Sequence, residues 1–215
     1  MQADTLILFA KAMLVGLLIA APVGPIGLLT IKRTLNQGFA AGLATGLGAA
    51  TADAVYGAIG ALGVTQIIAW LVDARPWLAM AGGTMLLWMA WQTFRQPLAS
   101  VAAPLASHAD LAKCFAGTFL LTLSNPATIL SFIAVFASIA GGRAQSLSAA
   151  PMIGGILVGS ALWWLFLSFL VAYWRERFNA VWRLRINHAS ALLLGGFALW
   201  QWASVLATPP ASWHL

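Results

Sequence analysis

Apolar residues run along this chain in stretches much longer than one face of a soluble helix or strand. Residues 12–31, 76–94, 114–142, 144–174 and 186–215 hold no Asp, Glu, Lys or Arg, and 38–72 holds only Asp53. A helix needs about 20 apolar residues to cross a bilayer core, so each run has room for one crossing and not for two plus a turn. The pattern predicts six membrane helices, near residues 6–31, 39–64, 76–95, 112–140, 149–174 and 187–207. Breakers and charges fall in the connections 32–37, 73–75, 96–110, 141–148 and 175–185. No basic cluster precedes the first run and two prolines follow it, so it reads as a retained helix and not as a cleavable signal.

The halves of the chain resemble each other. At a shift of 101 residues Gly16 meets Gly117, Pro25 meets Pro126, Leu29 meets Leu130 and Thr30 meets Ser131. At a shift of 113, Gly42 and Gly46 meet Gly155 and Gly159, Gly82 and Gly83 meet Gly195 and Gly196, and Leu86 meets Leu199. One change of spacing after the first helix of each unit reconciles both sets. A unit of three crossings is odd, so its second copy enters the membrane inverted, as in many secondary transporters. The expected architecture is therefore an all-α integral membrane protein of six transmembrane helices, built as two inverted three-helix repeats. Residues 1–95 form the first repeat, 96–111 a Pro-, Ala- and Ser-rich linker, and 112–215 the second repeat.

Composition agrees with lipid surroundings. Of 215 residues 61% are hydrophobic and 7% charged, against about a quarter charged in soluble domains. The net charge of +6 would suit nucleic acid, but its placement between the runs suits membrane orientation instead. Lys32, Arg33, Arg95, Lys113, Arg175, Arg177, Arg183 and Arg185 fall on one side, and Lys11, Arg75 and Arg143 on or near the other. Cytoplasmic loops carry the excess, which puts both termini outside. Trp70, Trp77, Trp174, Trp182 and Trp213 suit interfacial belts. Trp88, Trp91, Trp163, Trp164, Trp200 and Trp202 lie deeper, mostly for packing, with one or two available to line a pathway.

Two features carry chemistry. The first helix contains Pro22 and Pro25 with Gly24 and Gly27, and the fourth contains Ser124, Asn125, Pro126 and Thr128. Prolines remove backbone donors and clash with the preceding turn, so both helices are expected to break there. Freed backbone groups in a membrane must face protein or a watery cavity. A helix restarting at Pro25 or Pro126 aims its positive N-terminal end at that cavity, where it suits a carboxylate. Pro22, Gly24, Pro25, Gly27, Asn125, Pro126 and Thr128 are thus the candidate solute-binding residues, with Thr30 and Ser124 behind them. The second feature is Asp53, the one acid inside a predicted crossing. A charge at that depth costs at least ~2.5 kcal/mol and normally faces a cavity. Asp53 can carry a proton or receive a substrate ammonium; alternatively it stays neutral and joins two helices, with Thr51 and Tyr56 as the nearest partners in sequence. Gly42, Gly46, Gly48, Gly57, Gly60 and Gly63 read as packing positions.

Several chemistries have no footing. Cys114 is the single cysteine, which excludes an internal disulfide or a thiol relay within one chain. His108, His188 and His214 have no partner at metal-ligand spacing, and no nucleotide-binding loop or catalytic triad stands out. No cofactor, metal, nucleic-acid partner or enzymatic activity is expected.

These residues resemble the LysE/RhtB family of amino-acid exporters. The run Pro22-Val23-Gly24-Pro25 resembles the family's P-G-P-type signature, followed by the basic pair Lys32-Arg33 and Gly38-Phe39. Gly46, Gly48, Asp53 and Tyr56 resemble its Gly-rich second helix bearing an acid, and Asn125-Pro126 its fourth-helix signature. The resemblance covers nearly the whole chain, most strongly residues 15–63. It implies six helices, the bacterial inner membrane, homodimers, and export of amino acids or derivatives driven by the proton gradient. Val23 interrupts the first signature, and Ala127 stands where many members have lysine. The function expected is proton-coupled export of an amino acid or similar zwitterion by alternating access. The alternatives are export of another solute or cation on the same fold, and a non-transporting assembly protein.

Overall fold

The computed structural model describes residues 2–22, 24–62, 65–95, 107–140, 149–177 and 180–207. All regular structure among them is helical: α1 (Gln2–Ala20), α2 (Pro25–Gln37), α3 (Phe39–Ala61), α4 (Thr65–Arg95), α5 (His108–Leu123), α6 (Pro126–Ala140), α7 (Ala149–Trp174) and α8 (Ala180–Ala207), with a short 3-10 turn at Arg175–Arg177. Most of the expected linker, together with Val23, Gly63, Arg143, Trp213 and His214, lies outside the described residues.

Both expected breaks are present. Residues 21–24 separate α1 from α2, and Ser124 and Asn125 separate α5 from α6, which bend by 62°. Other boundaries differ from expectation. Lys32 and Arg33 lie within α2, and the expected connection 73–75 lies inside α4, which runs on through Pro76. The polar residues of α2 tolerate a helical setting because neighbours satisfy them. Lys32 Nζ donates to Thr93 Oγ1 at 2.6 Å, and Arg33 donates to Thr45 Oγ1, Thr118 Oγ1 and the Cys114 carbonyl at 3.0–3.1 Å. Helix α5 begins four residues before the expected 112, where Ser107 and Asp110 form a reciprocal capping box.

Helices α1, α7 and α8 are each long and apolar enough to cross a membrane, and the bent α5–α6 pair is so too if taken as one broken span. Helix α3, rich in Gly, Ala and Thr, packs against α2, α5 and α7. Its neighbours are other helices, so small residues matter more there than bulky apolar ones. A Cβ at Gly48 would collide with the Phe115 carbonyl of α5, and one at Gly159 of α7 with the Met13 carbonyl of α1. Gly38, between α2 and α3, has φ +96°, a conformation that glycine adopts without steric cost.

The bundle has two distinct ends. At one, the contacts of Lys32 and Arg33 are joined by Arg175 Nε donating to the Leu35 carbonyl (2.9 Å), Asn36 Nδ2 donating to Asn187 Oδ1 (2.9 Å) and Phe94 packing on His188. The end of α2, the ends of α4 and α7 and the starts of α5 and α8 therefore meet there, forming the cationic end of the molecule.

Candidate functional site

The two breaks face a common space. A cavity of about 220 Å³ is lined by Pro22, Gly24, Pro25 and Gly27 from the first break, Asn125, Ala127 and Thr128 from the second, and Asp53 from α3. Trp164 of α7 and Phe197, Trp200 and Gln201 of α8 complete much of its wall. Of the residues singled out from sequence, Pro126, Thr30, Ser124, Thr51 and Tyr56 are not on this wall.

The helix ends reach the cavity in different states. Helix α2 restarts with the Leu28 amide donating to the Gly24 carbonyl (3.1 Å), and no side chain caps its N-terminus. First-turn amides lack carbonyl partners four residues back, so this end offers donors and the positive pole of the helix dipole to the cavity. At α6 the Asn125 Oδ1 accepts from the Ala127 amide at 3.1 Å. That end is partly satisfied by its own chain. The two helix restarts therefore differ: that of α2 is uncapped and that of α6 is partly satisfied by Asn125.

Asp53 is buried, 3% exposed. Its Oδ2 accepts from the Ser160 hydroxyl of α7 at 2.7 Å, and the Ser160 oxygen accepts from Trp164 Nε1 at 3.2 Å. The partner of Asp53 is thus a residue 107 positions away, not Thr51 or Tyr56. The Thr51 hydroxyl donates to the Leu47 carbonyl of its own helix (2.8 Å). The Tyr56 hydroxyl reaches the Leu123 carbonyl at 2.6 Å, a group at the end of α5 beside the break. Thr30 and Ser124 likewise donate to carbonyls of their own helices, Ile26 and Leu120, at 2.9 Å.

Ser160, Trp164, Phe197, Trp200 and Gln201 carry no motif and were not singled out from sequence, apart from the two tryptophans as deep aromatic residues. Among the described residues no group of three or more His, Cys, Asp or Glu side chains converges as a metal site. Cys114 is a buried free thiol. The wall offers one carboxylate, an uncapped helix N-terminus, neutral polar groups and aromatic faces. That inventory can hold a small solute with a positive and a negative end.

Comparison with known proteins bears on the same region. The profile of the family described as LysE type translocator matches residues 17–201, which include both breaks and α8 through Gln201. The chain is similar to "Uncharacterized membrane protein YahN" of Escherichia coli (strain K12), 29% identical over 175 residues, covering 79% of this chain and 77% of that protein. It is similar to "Putative amino acid efflux protein YcgF" of Bacillus subtilis (strain 168), 29% identical over 163 residues, covering 73% and 76%. It also resembles "Chemotactic transduction protein ChpE" of Pseudomonas aeruginosa, 27% identical over 204 residues, covering 90% and 98%. No solved structure matches.

Proposed function

The chain belongs to the LysE type translocator family, and from that premise we propose that it is a secondary active exporter of an amino acid or amino-acid-like solute, coupled to protons. At the level of the family it is a multi-pass membrane transporter and not an enzyme. The observation that carries the finer reading is the shared cavity: the uncapped N-terminus of α2 and the Asp53 carboxylate border one space. A zwitterion's carboxylate suits the first and its ammonium the second. Asp53 takes up a proton in one half of the cycle and, in the other, releases it to water as an arriving ammonium pairs with the carboxylate. The name of the relative YcgF supports an amino acid as cargo.

Six crossings are assigned as α1–α2, α3, α4, α5–α6, α7 and α8. Helix directions support an inverted repeat. Gly155 and Gly159 of α7 lie against Phe9 and Met13 of α1, so these two helices run parallel. Arg33 bridges Thr45 to Thr118, and Tyr56 meets Leu123, so α3 and α5 also run parallel. Exchanging the two repeats converts one pair into the other. The cationic end is assigned to the cytoplasm of a bacterial inner membrane, with both termini outside.

The test is efflux from proteoliposomes holding the full-length chain under an imposed pH gradient. Wild type accelerates efflux of an amino acid when the gradient is applied. Asp53→Asn loses that acceleration, and its solute exchange is weakened by the lost ammonium partner and no longer depends on the gradient. Undiminished gradient-driven efflux by a folded Asp53→Asn protein removes Asp53 from proton coupling.

A further inference from the structure

Most polar side chains on the cavity wall already have protein partners. The Asp53 carboxylate accepts from Ser160, the Asn125 oxygen accepts from the Ala127 amide, and the Thr122 and Ser131 hydroxyls donate to the Thr118 and Ala127 carbonyls of their own helices at 2.9 Å. Gln201 differs. It lines the cavity and is 7% exposed, yet its Oε1 has no hydrogen-bond partner among the described residues. Ser168 Oγ shares that condition, but Ser168 faces Gly42 and is not on the cavity wall.

A buried amide oxygen without a partner carries the uncompensated cost of leaving water, so a side chain left in this state on a binding cavity calls for a ligand. The glutamine amide combines an acceptor and two donors, and rotation of its terminal torsion, which has a broad profile, presents either to the cavity. It suits a hydroxyl or an amide equally. Among the described residues the wall has no lysine or arginine and a single acid. A cargo with a charged side chain would therefore bury that charge without an opposite one, at large cost. Trp164, Phe197 and Trp200 supply the apolar remainder of the wall.

We propose that Gln201 reads the side chain of the cargo, and that the cargo is an amino acid whose side chain is uncharged and hydrogen-bonding. This rests on the exporter reading above: the backbone ammonium and carboxylate take Asp53 and the α2 end, leaving the side chain to α8. Gln201 is then a specificity residue, separate from the groups that bind what every amino acid shares.

The experiment is efflux of radiolabelled glutamine, serine, leucine, lysine and glutamate from proteoliposomes containing wild type, Gln201→Leu or Gln201→Glu, each checked for monodispersity and melting in detergent. Wild type is expected to favour glutamine or serine over leucine, lysine and glutamate. Gln201→Leu shifts the ratio of kcat/KM for the polar cargo against leucine by on the order of tenfold toward leucine. Gln201→Glu, nearly the same in shape and usable where the leucine variant fails to fold, raises lysine relative to glutamine. An identical substrate ranking in wild type and a folded variant, or a wild-type preference for a charged side chain, overturns the role of Gln201 and leaves export standing. Failure of wild type to move any amino acid overturns both readings.

Discussion

The hydroxyl of Tyr56 donates to the carbonyl oxygen of Leu123 at 2.6 Å, tying the helix that carries Asp53 to the end of α5 at the bend into α6. That carbonyl stands where the break interrupts the helical ladder, and its polar demand is met by a side chain three residues beyond Asp53, almost one turn along α3. Tyr56→Phe keeps the ring stacked on Phe132 and removes only the donor. The expected cost is about 1–3 kcal/mol, seen as a lower melting midpoint in detergent. An unchanged midpoint denies the hydroxyl any structural role.

Ser160→Ala deprives Asp53 of its donor and Trp164 of its acceptor while leaving the carboxylate in place. Hydrogen bonds to charged groups contribute about 1.5–3 kcal/mol, so efflux efficiency should fall about ten- to hundredfold. Dependence on the pH gradient should survive, in contrast with Asp53→Asn. Loss of gradient dependence in Ser160→Ala would assign the coupling to the pair and not to the acid.

Glycine substitutions should divide sharply by neighbour. A Cβ at Gly159 meets the backbone of Met13 and Leu17, whereas one at Gly196 meets nothing within 4 Å. Gly159→Ala must push α1 off α7 and should yield little monodisperse protein. Gly196→Ala lies in an exposed helical position and should be neutral or stabilising by about 0.5–1 kcal/mol. Size-exclusion profiles and melting curves of the two variants decide the matter; equal behaviour contradicts the packing described.

How much of this was legible beforehand depended on whether a residue acts alone. Proline removes a backbone donor in any surroundings, so the breaks at Pro22–Pro25 and Pro126 were readable, as was one acid in a long apolar run. Helix ends were less so. Lys32 and Arg33 looked like connection residues and Pro76 like the start of a helix, yet threonines from other helices hold the two cations inside the bundle, and α4 begins earlier and continues through its proline. Ser160 and Gln201 were unreadable because their significance is relational. A serine in an apolar helix is unremarkable until it is 2.7 Å from a buried carboxylate, and a glutamine until its buried oxygen is left without a partner among the described residues.

The start of α5 carries a pH dependence of determinate sign. Asp110 is exposed and accepts from the Ser107 hydroxyl (2.6 Å) and amide (3.2 Å), which hold its carboxyl below the usual carboxylate range. A folded pKa below the unfolded one means the capping contribution is complete above the unfolded value, about 3.9, and is lost as pH falls through the folded value. Melting of wild type minus that of Asp110→Asn should be positive and flat near neutrality and shrink in acid. A difference that grows in acid reverses the assignment.

The unequal capping of the two breaks has a consequence for direction. A frame made of two matched halves would by itself admit a two-ended solute head-first or tail-first with equal ease. Asn125 occupies one of the two anion-seeking helix ends with its own oxygen, and the end of α2 is left open. On the proposed export reading, the open end of α2 and the Asp53 carboxylate together fix which way a zwitterion lies, so its distinguishing side chain would always turn toward the same wall.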